Sequence, residues 1–135
     1  MSENRAADET AITAVLENLY KAWEANDADA FVAEYTEDAT AVLPGSLRQS
    51  REAIRSNMAG GFAGPLKGSK TYNKPLSIRF LGQDGAVVVS ESGILFAGET
   101  ELPAARLVHA TWVLERRDGR WLVASYHNSP ANPAS

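Results

Sequence analysis

The end of the chain constrains the fold most. From Ala105 to Pro130, two runs rich in β-branched and aromatic residues flank Arg117-Asp118-Gly119-Arg120, which reads as two long strands joined by a tight turn. A three-residue connection places a type I turn ahead of a left-handed residue, and Gly119 takes that conformation without a Cβ penalty. With Arg116 opposite Arg120, the register opposes Trp112 to Ala124, Ala110 to Tyr126 and Val108 to Asn128 on one face. Thr111 then opposes Ser125, and His109 opposes His127, on the other face. A one-residue slip would reverse the faces of one strand relative to the other.

The preceding residues read as the cover of that hairpin. From Glu9 to Asn26 the apolar residues Ile12, Val15, Leu16, Leu19, Tyr20 and Trp23 recur at helical spacing, with Asp8 placed as N-cap. Asp27 is set to cap a second, shorter helix carrying Phe31, Val32 and Tyr35. Thr36-Glu37-Asp38 reads as a turn, and Ala39 to Leu43 as a short buried strand stopped by Pro44-Gly45. A third helix starts after Ser50, turns Ile54 and Met58 inward and stops at Gly60-Gly61. The loop from Ala63 to Lys70, with two glycines and a proline, is expected to be mobile or to border an opening. Thr71 to Leu81 alternates as a strand whose first half is an edge, because Pro75 cannot donate to a ladder. Gly82 to Gly85 turns into a strand from Ala86 to Ala97, and Gly98 to Ala104 loops back to the hairpin.

Three helices with one strand among them, followed by four strands on short turns, predict an α+β fold with an antiparallel sheet and helices on one side. The 135 residues suffice for one domain with one core, and residues 1–8 and 129–135 are expected as flexible tails. No apolar run approaches the ~18 residues of a membrane helix, and the polar start Met1-Ser2-Glu3-Asn4 has no leader pattern, so a cytoplasmic protein is expected. The chain has no cysteine, which removes disulfides, a thiolate nucleophile and sulfur ligands for zinc. A net charge of -4 with scattered basic residues leaves no footprint for nucleic acid. The clusters Arg48/Arg51/Arg55 and Arg116/Arg117/Arg120 read as solvated faces.

Val87, Val88 and Val89 run together, and Leu107, Val108, Val113 and Leu114 fall on both sides of their strand. A one-sided sheet would alternate cleanly, so both faces are expected to be covered. A second copy is the simplest cover, which predicts a homodimer through the sheet. The register turns His109, His127 and Glu91 toward that partner, as a packed interface group. In a cleft the two imidazoles could act as acid and base. With Glu91 they form a suitable metal-ligand set, but histidine–carboxylate neighbours are common without metal, and no metal is assigned.

The run from Leu19 to Phe31, then Tyr35 to Ala39, then Arg117 to Val123 with His127-Asn128-Ser129, resembles the SnoaL-like branch of the nuclear-transport-factor-two-like superfamily. Within it the chain is most similar to the SgcJ/EcaC-type group of bacterial secondary-metabolite clusters, including those for enediyne polyketides. Members are often labelled oxidoreductases. No glycine-rich dinucleotide fingerprint follows a strand and opens a helix here, so no nicotinamide, flavin or other cofactor is assigned. The resemblance implies a cone-shaped curved antiparallel sheet wrapped around the three N-terminal helices, with a pocket at the wide end. In relatives such as the association domain of calcium/calmodulin-dependent kinase, the residue after the final histidine of the last strand points into the pocket, which here is Asn128.

Strand parity adds Tyr126, and the hairpin register adds Trp112. Ser92 on the preceding strand, with Trp23, Tyr35, Met58 and Phe62 from the helical side, completes the expected ligand-binding wall. It is aromatic with few polar points, which suits a flat or polyene-like ligand. The function expected is that of a pocket protein binding a hydrophobic, polyketide-like small molecule. One alternative is a cofactor-independent isomerase, cyclase or hydrolase using Tyr35, Tyr126, His109 or His127. Another is a non-catalytic dimerisation module with an unfilled cone, its pocket too small or too closed for a ligand. None of the inward strand positions Ser92, Val108, Ala110, Trp112, Ala124, Tyr126 and Asn128 is a carboxylate.

Overall fold

The computed structural model describes residues 5–132. Helix α1 (Arg5–Glu24) leads into α2 (Ala28–Val32), strands β1 (Tyr35–Leu43) and β2 (Ser46–Arg48), and helix α3 (Arg51–Phe62). Strands β3 (Lys70–Leu81) and β4 (Gly85–Leu95) follow, then a 3-10 turn at Ala104–Arg106 and the hairpin β5 (Val108–Arg117) and β6 (Arg120–Pro130). This is the α+β architecture expected, with six strands in the order β2-β1-β6-β5-β4-β3. β3 lies at an edge, as Pro75 requires, and its ladder slips between Pro75 and Ser77. The sheet is antiparallel except where β6 inserts between β5 and β1, running parallel to β1.

The core forms where the buried stripe of α1 meets the inner face of the sheet. Ile12, Leu19, Val88, Leu114 and Val123 are all fully buried there, so the hydrophobic gain is concentrated at this contact. At the N-terminal end of α1, Asp8 is in the first turn and does not cap the helix, which begins at Arg5. Asp8 instead accepts from Arg116 Nη1 at 3.0 Å and Trp121 Nε1 at 3.3 Å, tying the helix start to the hairpin. Arg117 and Arg120, expected on a solvated face, pair with Asp38 and Glu34.

The hairpin register differs from the expected one. Asp118 and Gly119 both have positive φ, 52° and 76°, and make a two-residue turn of the mirror-image type whose twist matches its strands. Arg117 therefore opposes Arg120. Ala124 is then an extra residue on β6, and beyond this bulge Trp112 opposes Tyr126, Ala110 opposes Asn128 and Val108 opposes Pro130. The two slips add to two residues, which preserves the faces. His109 opposes Ser129 and His127 opposes Thr111, so the imidazoles do not face one another.

Three boundaries also move. Tyr35 opens β1 instead of closing α2, because it pairs with Val123 across the sheet, and Thr36-Glu37-Asp38 is strand, not turn. Ser46–Arg48 forms the short strand β2, folded back on β1 through Gly45 at φ 75°. Helix α3 passes through Gly60-Gly61 to Phe62. Of the segments expected as tails, residues 5–8 begin α1 and Ser129 and Pro130 continue β6, while 1–4 and 133–135 lie outside the described residues.

Candidate functional site

The far end of α1 positions one wall of a cavity of about 260 Å³. The helix stops because Asn26 adopts φ 55° and the amides of Asn26 and Asp27 return to the carbonyls of Trp23 and Ala22, a Schellman closure. The Asn26 side chain fastens this end twice. Its Nδ2 donates to Trp23 O at 2.9 Å, and its Oδ1 accepts from Gly68 N at 2.9 Å in the loop after α3. That loop brings Ser69 to the Trp23 indole, whose Nε1 donates to Ser69 Oγ at 2.8 Å. Phe31 and Phe62 then pack edge-on against Trp23, with ring centroids 6.0 and 5.5 Å away.

The opposite wall comes from the sheet. Trp112 and Tyr126 are cross-strand partners with centroids 4.4 Å apart, and the Trp112 indole donates to Ser90 Oγ at 3.3 Å. Asn128 Nδ2 donates to the Tyr126 hydroxyl oxygen at 2.8 Å, and Ser92 Oγ donates to Asn73 Oδ1 at 2.8 Å. Burial is the main cause that pushes the Tyr20, Tyr35 and Tyr126 hydroxyls above the ordinary tyrosine value. At neutral pH they keep their protons and do not act as bases; Tyr20 Oη is buried without a hydrogen-bond partner among the described residues. Burial also lowers the Arg48 guanidinium from its ordinary value, and as an arginine it keeps its charge at neutral pH.

Of the residues expected on the wall, Trp23, Tyr35, Met58, Ser92, Trp112, Tyr126 and Asn128 all line this cavity. Phe62 does not; it lies one layer behind, supporting Trp23. His109 and His127 are exposed on the opposite face of the sheet, with His109 beside Glu91 in register. The histidines are therefore apart from Tyr35 and Tyr126, and the four catalytic candidates do not form one site. Among the described residues no cluster of three or more His, Cys, Asp or Glu side chains is placed to hold a metal.

Sequence reasoning missed Tyr20, Phe31, Arg48 and Arg106, which also line the cavity. Tyr20 and Phe31 carry a findable signal, since both follow the apolar period of their helices. Arg106 follows a loop and stacks over Phe96 at 4.6 Å while paired with Glu99. Arg48 depends on β2, which is only three residues long.

Solved structures of the same shape include a domain of unknown function with a cystatin-like fold from Nostoc punctiforme. It is 23% identical with a TM-score of 0.86, over 94% of this chain and 79% of that one. A nuclear-transport-factor-two-like protein with a cystatin-like fold from Novosphingobium aromaticivorans is 17% identical, TM-score 0.83, covering 96% and 86%. A second protein of that organism, provisionally assigned as a scytalone dehydratase, is 16% identical, TM-score 0.77, covering 100% and 95%. Likenesses at these identities establish the fold alone. No curated protein matches the chain. The SnoaL-like domain model matches residues 4–127, nearly the whole chain, and the protein therefore belongs to the SnoaL-like family.

Proposed function

We propose that this chain is a small-molecule pocket protein of bacterial secondary metabolism, akin to the SgcJ/EcaC-type group, that holds a hydrophobic, polyketide-like intermediate in the cytoplasm. The observation that carries the reading is the cavity of about 260 Å³, walled by aromatic rings and a few fixed polar groups. That volume sits just below the ~300 Å³ at which ordinary small-molecule pockets begin. A compact fragment of one or two rings therefore suits it better than a long polyene. Holding a ligand is favoured over moving its protons by the make-up of the wall, which among the described residues has neither carboxylate nor imidazole. General acid/base chemistry needs a group that titrates near working pH, and the buried tyrosines do not. A module serving assembly alone has no need of such a space. A second copy seated on the outer face of the sheet belongs to the same proposal, supported by half-buried Val87, Val89 and Val113 and by the exposed pair Val42 and Leu47.

Proton–nitrogen NMR tests the binding reading. On titration with naphthalenemethanol, a compact neutral aromatic, the indole signals of Trp23 and Trp112 are expected to move. Trp121 lies outside the cavity, and with His109 and His127 it is expected to stay still. Shifts confined to Trp121 and the histidines, or no shift at all, contradict the reading.

A further inference from the structure

The cavity holds a charge for which the fold has no evident use. Of the nine arginines in the chain, seven pair with a carboxylate, from Arg5 with Asp8 to Arg120 with Glu34. Arg79 is exposed to solvent. Arg48 is half-buried, lines the cavity and has no carboxylate partner among the described residues. Its Nε donates to Ser46 Oγ at 3.3 Å, and its Nη1 approaches Met58 Sδ at 3.7 Å. Both are weak partners for a guanidinium, which is built to grip an anionic oxygen.

Strand parity makes this placement informative. In β2, Leu47 points away from the cavity and is 62% exposed, while its neighbour Arg48 turns inward. A strand serving only the fold would present them the other way round. Local rules are broken in this manner where function demands it. The register supplies the counterpart: Arg48, Ala41, Tyr126 and Trp112 stand in one row across β2, β1, β6 and β5. Arg48 and Tyr126 are roughly 10 Å apart at the backbone, two strand spacings. The alanine between them leaves an open floor. Asn128 already satisfies the oxygen of the Tyr126 hydroxyl, so its hydrogen is available to a ligand.

We infer that the pocket takes a compact aromatic acid, with its ring against Trp112 and its carboxylate over Ala41 between the Arg48 guanidinium and the Tyr126 hydroxyl. This rests on the cavity being a ligand site and names the chemistry of the ligand. Inside such a wall the charge is weakly screened, so the pairing discriminates strongly between an acid and its neutral analogue.

Calorimetry with naphthoate and naphthalenemethanol of the same substitution pattern separates the two readings. The unaltered chain binds the acid roughly tenfold or more tighter than the alcohol, the worth of one charge-assisted hydrogen-bonded contact. Arg48→Met removes that preference, and a circular dichroism spectrum matching that of the unaltered chain shows that the variant is folded. Arg48→Lys keeps a charge and retains part of the preference. Equal binding of acid and alcohol by the unaltered chain, or a preference that survives Arg48→Met, overturns the inference and leaves the pocket standing. Failure of both probes to bind overturns the pocket and the inference together.

Discussion

Arg48 marks where stability and function part. A half-buried guanidinium facing aromatic rings gives up hydration without a counter-ion to replace it. Replacing it with methionine keeps the length of the side chain and adds apolar contact beside Met58. Thermal unfolding of Arg48→Met at neutral pH is therefore expected at an unchanged or higher midpoint, the pattern of a residue kept for binding at some expense to stability. A clear fall in the midpoint would mean that Arg48 supports the fold. The sequence could not single this residue out, because three residues of β2 are too few to declare an alternation, and Arg48 stands near Arg51 and Arg55 as one more basic position. The aromatic wall was legible for the opposite reason. Trp23 follows a helical period; Asn128 came from the family resemblance, and strand parity and the hairpin register then added Tyr126 and Trp112, faces that a slip of two residues leaves intact.

Helix ends and turns decide how that wall is held. Asn26 closes α1 in a left-handed conformation and clasps both Trp23 and the loop at Gly68. Asn26→Ala is expected to lose the two side-chain bonds, and with them the local contacts by which asparagine tolerates a left-handed φ, roughly 2–3 kcal/mol in all by denaturant unfolding. Asn26→Gly accepts the same φ and should cost less. Equal losses in the two variants would mean that backbone strain contributes little. The Asp27 cap was legible because a short polar side chain before an apolar run favours that use, and it accepts from Ala30 N at 3.0 Å; Asp8, read in the same way, lies inside the first turn, while Ser50 caps α3 through Ala53 N at 3.0 Å. The turn at Asp118-Gly119 was misread by one residue because aspartate tolerates positive φ as well as glycine does here. The Ala124 bulge left no local mark, since any small residue can be the extra one.

The protein as a whole is fastened at one end and hollow at the other. The Asp8–Arg116–Asp84 pairs bind α1 to two hairpin ends, and the cavity opens where α1 stops, about 24 Å further along the helix at 1.5 Å per residue. Helices on one side of a sheet followed from the order of elements, the cone from the family resemblance, and the sheet faces from strand parity; the parallel β1–β6 pair did not follow, because it joins residues from opposite ends of the chain. On the outer face Leu47, His109 and His127 are exposed. If a second copy covers that face, light scattering gives twice the chain mass, and Leu47→Glu shifts it toward the monomer; a monomeric mass for the unaltered chain contradicts the dimer. The most direct test of the pocket is a crystal structure grown with naphthoate. The account predicts the naphthalene ring between Trp112 and Met58 with the carboxylate on Arg48. A cavity filled by its own side chains, with the ligand bound elsewhere, would contradict it.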